Sequence, residues 1–162
     1  MRRTLLILTT LVLLALVNYG IVQREKLLTN GRMVLLELAP VDPRSLMQGD
    51  YMALRFAVAN DAMPHLTDHP AEDGHLVLTL DDKGIGRYAR LDDGMPLADD
   101  EIRMRYRKRD RELKLATNAY FFEEGTAHYY EPARYGEFRV APDGEALLTG
   151  LRDGKLNRLG PE

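Results

Sequence analysis

The stretch EIRMRYRKRDRELKLA, Glu101 to Ala116, decides the fold class. Ile102, Met104 and Tyr106 alternate with Arg103, Arg105 and Arg107, so an extended chain puts the apolar side chains on one face and the guanidiniums on the other. That period of two marks a half-buried antiparallel strand, whereas a helix of about 3.6 residues per turn would scatter the arginines around its circumference. Lys108 to Asp110 supply a turn, and Leu113 and Leu115 then resume the alternation, so the segment predicts a β-hairpin.

Similar signals lie on both sides of the hairpin. RMVLLELA, Arg32 to Ala39, predicts a buried strand. YMALRFAV from Tyr51 places Met52, Leu54, Phe56 and Val58 on one face, HLVLTLD from His75 does so with Leu76, Leu78 and Leu80, and EALLTGL from Glu145 supplies a last inner strand. DDKG at Asp81 and APDG at Ala141 mark tight turns, and TNG at Thr29 breaks what precedes it. No long amphipathic helix alternates with these strands, which argues against a parallel α/β sheet. The expectation is a mainly β fold, an antiparallel β-sandwich or open barrel with one or two short helices. No linker, repeat or low-complexity run divides it, so residues 29–162 are expected to form one domain behind an N-terminal segment, residues 1–28.

That segment is of a different kind. TLLILTTLVLLALVNYGIVQ, Thr4 to Gln23, contains no charged residue, and as a helix it would span about 30 Å, the thickness of a bilayer core. Arg2 and Arg3 precede it, while Arg24, Glu25 and Lys26 follow, so the positive-inside bias places the N-terminus in the cytoplasm and the β-domain outside. A cleaved signal peptide would need small residues at A-x-A spacing near the end of the apolar core, and LALVNYGIVQRE does not supply them there. An uncleaved single-pass membrane anchor is the expectation. Thr10, Leu14 and Asn18 follow one another at i+4, which makes Thr10 and Asn18 the candidates for contact with a neighbouring membrane helix, while headgroup contact is the plainer reading of the polar residues. The net charge of -3 leaves no global basic field for nucleic acid, and the absence of cysteine excludes disulfides and thiolate chemistry.

DPRSLMQGDY, Asp42 to Tyr51, joins the first two expected strands. Asp42 suits a helix N-cap, Pro43 the first helical position, and Gly49 the left-handed residue that ends the turn before Tyr51 starts a strand. Each residue type has a structural task, so the stretch reads as a joint. Its end, GDYMALRF, resembles the signature of the GDYXXLXY family, with Gly49, Asp50, Tyr51 and Leu54 matching and Phe56 where the motif has its final tyrosine. FFEEGTAHYYEPARYGEFRV, Phe121 to Val140, also resembles the family's C-terminal half, as do REKLL and LAPVDPRSL near the anchor. The resemblance implies a bacterial membrane-anchored protein that occurs alongside a polytopic inner-membrane protein, with its globular part in the periplasm. It brings no catalytic residues.

Three constellations are candidates for chemistry. Signal-peptidase-type serine proteases are the sharpest enzyme alternative, but Ser45 lies only four residues before Gly49 and Lys83 sits in a turn, so no base is placed for the nucleophile. His65, His69 and His75 offer imidazoles for a metal, yet two prolines and a glycine interrupt the spacing that would aim them at one point. Phe121, Glu123, Glu124, Tyr130, Arg134 and Tyr135 form an aromatic block with charges, a candidate surface for a peptide or an envelope polymer such as a sugar chain, though aromatics at mixed spacing are more often core. No cofactor is expected. The function these residues point to is a non-enzymatic binding or accessory module at the membrane surface; a membrane-surface hydrolase is the alternative.

Overall fold

A computed structural model describes residues 2–39, 47–48, 51–66, 72–109 and 112–161. The chain runs α1 (Arg2–Asn30), β1 (Arg32–Glu37), β2 (Met47–Gln48), β3 (Tyr51–Ala53), α2 (Ala57–Leu66), β4 (Asp73–Leu80), β5 (Ile85–Leu91), β6 (Glu101–Arg109), β7 (Glu112–Leu115), β8 (Ala119–Phe121), a 3-10 turn (Ala127–Tyr129), β9 (Tyr135–Val140) and β10 (Ala146–Arg152). Seven strands make one sheet in the order β10-β9-β1-β5-β4-β6-β7, and β2, β3 and β8 make a small second sheet. The fold is mainly β, as expected. The expectation of an antiparallel sheet needs one amendment: β1 and β5 run parallel, Leu35 beside Ile85, so the sheet is mixed.

The hairpin of β6 and β7 forms, Tyr106 opposite Leu115 and Lys108 opposite Leu113, with Lys108 and Arg109, expected in the turn, paired as part of β6. Ile102, Met104 and Tyr106 are buried, and the arginines between them face outward. Because β7 pairs β6 only from Tyr106 onward, the earlier part of that β6 edge is open. The sheet curls until the β9–β10 turn reaches it there. The Arg105 N–H donates to the Gly144 carbonyl at 2.8 Å, and the His75 ring meets the Asp143 carbonyl at 3.1 Å, so the two ends of the sheet nearly close on each other.

Several elements depart from the sequence expectation, among them β2, β8 and β9, which it did not contain. The strand starting at Tyr51 ends at Ala53, and a helix, α2, follows from Ala57. Val58, Ala62 and Leu66 lie on its buried side at i+4 spacing, and this period overrides the continuation of the period-two run into Val58. All four residues expected on one strand face are buried nonetheless, Met52 and Leu54 through β3 and the residue after it, Phe56 and Val58 through the entry to α2. The strand β5 had no sequence expectation, because IGRYARL leaves most of its side chains at least partly exposed and alternates poorly.

The N-terminal helix is long and apolar enough over Leu6–Asn30 to cross a membrane, and the hydrophobic side chains described along it from Leu6 to Val22 are exposed. It enters the β-domain without a linker. Leu27 is buried, the Gly31 N–H caps the helix by donating to the Leu27 carbonyl at 2.9 Å, and a Cβ at Gly31 would strike that same oxygen. Arg139 of β9 donates to the Gly31 carbonyl at 3.2 Å, and Arg24 pairs with Glu145 in the β9–β10 turn at 3.2 Å.

Among the described residues one charge lies inside. Glu137 of β9 is 5% exposed and accepts from Arg152 Nε at 2.6 Å and from Thr149 Oγ1 at 3.1 Å. Burial by itself pushes this carboxyl up, but the Arg152 hydrogen bond and charge, with Thr149, outweigh it and hold it below its ordinary value of 4.5. Protonation is then harder in the fold than in the unfolded chain. The pair contributes fully above about pH 4.5 and is lost as pH falls through the lowered folded value.

Two outcomes follow for the full chain in detergent. Gly144→Ala should lower stability by about 1 kcal/mol or more, since Gly144 has φ of +85° and a Cβ there would approach the His75 Cδ2 to 2.7 Å. An unchanged melting temperature would refute the closure. Glu137→Gln should cost about 3 kcal/mol at pH 7, by stranding Arg152, and should flatten the loss of stability between pH 5 and pH 3 seen in melts of the native protein.

Candidate functional site

The motif and the aromatic block meet where β3 pairs with β8. Tyr51 lies opposite Phe121, Met52 opposite Tyr120 and Ala53 opposite Ala119. On the outer side the Tyr51 and Phe121 rings sit 5.7 Å apart, and Phe121 is 74% exposed. On the inner side Tyr130 packs against both Tyr120, at 5.1 Å edge-on, and Phe122, at 5.3 Å stacked. Tyr130, expected on a binding surface, is therefore buried core. Burial first, and then the neighbouring Tyr130 hydroxyl, pushes the Tyr120 hydroxyl up to about 12.

The rest of that block divides. Glu123 and Glu124 are exposed, and the Glu123 carbonyl accepts from the Thr126 hydroxyl at 2.6 Å, shaping the turn into the Ala127–Tyr129 segment. Arg134 is exposed at the head of β9, its guanidinium donating to the Ala133 carbonyl at 2.9 Å. Tyr135 is half-buried in β9, opposite Glu37.

The second half of the motif is interior. Leu54 is fully buried, its N–H donating to the Asn118 carbonyl at 2.7 Å, and Phe56 is 2% exposed with its ring edge-on to Phe138 at 5.3 Å. The Leu54 bond extends the β3–β8 ladder, while Phe56, bridged to Leu38 and packed on Phe138, ties the small sheet to the large one. Gly49, Asp50 and the proposed cap at Asp42 and Pro43 lie outside the described residues, as does Ser45.

Beside Phe56 is a cavity of about 200 Å³, lined also by Arg55, Asn60 and Met63 near or within α2, by Glu112 of β7, and by Asn118. The Asn118 Oδ1 itself is buried with no hydrogen-bond partner among the described residues. An acceptor in that state costs about 1–3 kcal/mol. Nothing in the sequence around Asn118 signalled this, because the cavity is assembled from α2, β7 and the turn before β8, which are distant in the chain.

The histidines do not converge. His65 stacks on Tyr88 at 5.3 Å, whereas His75 is engaged by the β9–β10 turn. His69 lies outside the described residues, among which no group of three His, Cys, Asp or Glu side chains could hold a metal. In the N-terminal helix, the Thr10 hydroxyl and the Asn18 amide each donate to a carbonyl of their own helix, Leu6 and Leu14 respectively, both at 2.9 Å.

Asn118, with its unpartnered acceptor, and the phenylalanine at the motif's tyrosine position line one cavity, which yields a test. Phe56→Tyr should raise stability by about 1 kcal/mol through a new hydrogen bond to Asn118, and the gain should vanish in the Asn118→Leu background. Equal effects of Phe56→Tyr in both backgrounds, read by thermal melting, would show that the hydroxyl does not reach the amide.

A family model described as GDYXXLXY protein matches residues 13–151. No curated protein and no solved structure matches the chain. The matched span starts within the apolar helix, takes in the β3–β8 seam and the buried Leu54 and Phe56, and ends in β10. The chain belongs to the GDYXXLXY protein family.

Proposed function

We propose that this protein is a non-enzymatic accessory module, held by α1 in a bacterial inner membrane with its β-domain in the periplasm, and acting with a polytopic membrane protein. The observation that carries the reading is the rigid junction between α1 and the β-domain. A helix serving as a simple tether is usually followed by a flexible polar linker. Here Leu27, the Gly31 cap, the Arg139 contact and the Arg24–Glu145 pair lock the helix end to β9 and β10. A rigid junction fixes the height and orientation of the domain above the bilayer, which matters when the target is itself held in the membrane. The charge bias around α1 supports the stated orientation.

The helix can contribute directly to such a complex. Asn18 spends one amide hydrogen on Leu14, leaving its second hydrogen and its carbonyl for a neighbouring helix. Interhelical amide bonds in membranes contribute about 0.6–2 kcal/mol, too little to hold a complex alone. Co-purification in mild detergent, using native, Asn18→Leu and helix-exchanged proteins, tests the reading. Asn18→Leu should weaken recovery of a membrane partner, and replacing Thr4 to Gln23 by an unrelated membrane helix should weaken it much further. Equal recovery by all three would confine recognition to the β-domain; no membrane protein recovered by any of them would sink the accessory reading.

A further inference from the structure

The four arginines on the outer face of β6 differ in their surroundings. At one end Arg103 forks onto Asp92, with Nη2 3.1 Å from Oδ1, and at the other Arg109 meets Glu72 at 3.0 Å. Arg105 and Arg107, between them, have no carboxylate partner among the described residues. Lys114 of β7, likewise without one, stands directly opposite Arg107 in the ladder. Like charges facing each other across a sheet are destabilising, so the fold carries a local electrostatic cost here. Asp73, on the opposite side of Arg107, is drawn toward Arg109 at 3.7 Å.

Arg105, Arg107 and Lys114 line one cleft of about 350 Å³, and Arg24 of α1 forms its other wall. Four cations face a single carboxylate in that lining, Glu145, which Arg24 already holds. The acidic groups Asp73 and Asp143, with His75, line the adjoining space beyond Arg105. Arg24 is the first charged residue after the uncharged run of α1, so with the helix in a bilayer the cleft opens at the depth of the lipid headgroups.

We propose that the cleft between the end of α1 and the β6–β7 edge binds the phosphate headgroup of an anionic phospholipid through Arg24, Arg105, Arg107 and Lys114. Guanidiniums match phosphate oxygens two at a time, and a bound phosphate would relieve the Arg107–Lys114 repulsion. Lipid is favoured over a soluble anion because headgroups surround α1 at a local concentration that a free phosphate does not reach. The inference needs α1 to span a membrane but does not depend on a protein partner.

Native mass spectrometry of the full chain, released from detergent micelles holding equal phosphatidylglycerol and phosphatidylcholine, tests it. The native protein should retain phosphatidylglycerol preferentially. Arg105→Gln/Arg107→Gln/Lys114→Gln should cut that retention about tenfold or more, to the level of phosphatidylcholine. Lys83→Gln/Arg87→Gln/Lys155→Gln, which removes the same charge from elsewhere on the domain, should leave it intact. Lys114→Gln alone should raise the melting temperature, since it ends a repulsion. If the triple cleft variant melts early, Arg107→Gln alone carries the test, with about a fivefold loss expected. Undiminished retention by the cleft variants, or equal loss in the control, overturns the proposal. Full displacement of phosphatidylglycerol by millimolar inorganic phosphate overturns its assignment to lipid.

Discussion

The backbone hydrogen bond from Arg105 to Gly144 is the contact on which the rest of the architecture depends. A curled sheet with two open edges exposes unpaired backbone groups, and these invite pairing with other chains. Here β7 is too short to cover β6, and the Ala141–Glu145 turn fills the place it leaves vacant. The same turn meets α1 through the Arg24–Glu145 pair, and β9, which leads into it, holds Gly31 through Arg139. Closure of the sheet and seating of the N-terminal helix therefore share that turn, with Leu27 and Arg139 adding to the second.

Charge placement follows from that closure. Glu137 and Arg152 sit on β9 and β10, strands that close the far end of the sheet, and their pairing inside the protein is tolerable because Thr149 and the Leu156 carbonyl complete the hydrogen bonding around them. On the outside, carboxylates balance the two ends of the β6 arginine row and leave its middle unbalanced. The unbalanced part is the part that the closing turn brings next to α1. Stability alone gives no reason to put Lys114 across from Arg107, whereas recognition of an anion near the membrane does.

Much of the fold was legible because period two survives wherever one face of a strand is buried. Met104 and Leu115 announced their strands in this way, and both are fully buried. Val58 was ambiguous because it belongs to two patterns at once: the alternating run from Met52 and the i+4 series through Ala62 to Leu66. The parallel pairing of β1 with β5 had no local signature, since strand partners are chosen by the whole sheet. The candidate sites were less legible for a related reason. Periodicity shows which way Arg105 and Arg107 point but says nothing of what lies opposite, and it says nothing of Asn118, whose isolation depends on α2 and β7.

Among the described residues, the family signature reaches the core at two positions. Leu54 and Phe56 are interior, and Tyr51 belongs to the seam where β3 meets β8. A motif of this kind specifies how the small sheet is built, through the Leu54 N–H to the Asn118 carbonyl, and how it docks on the large one, through the Phe56–Leu38 bridge and the Phe56–Phe138 contact. Such residues identify the fold without naming a reaction, because function resides in what the fold displays. In this chain the displayed features are the outer face of β6, the end of α1 and the exposed Phe121 beside Tyr51. The first two share one cleft. Phe121 lies in β8 at the edge of the other sheet and is no part of that cleft.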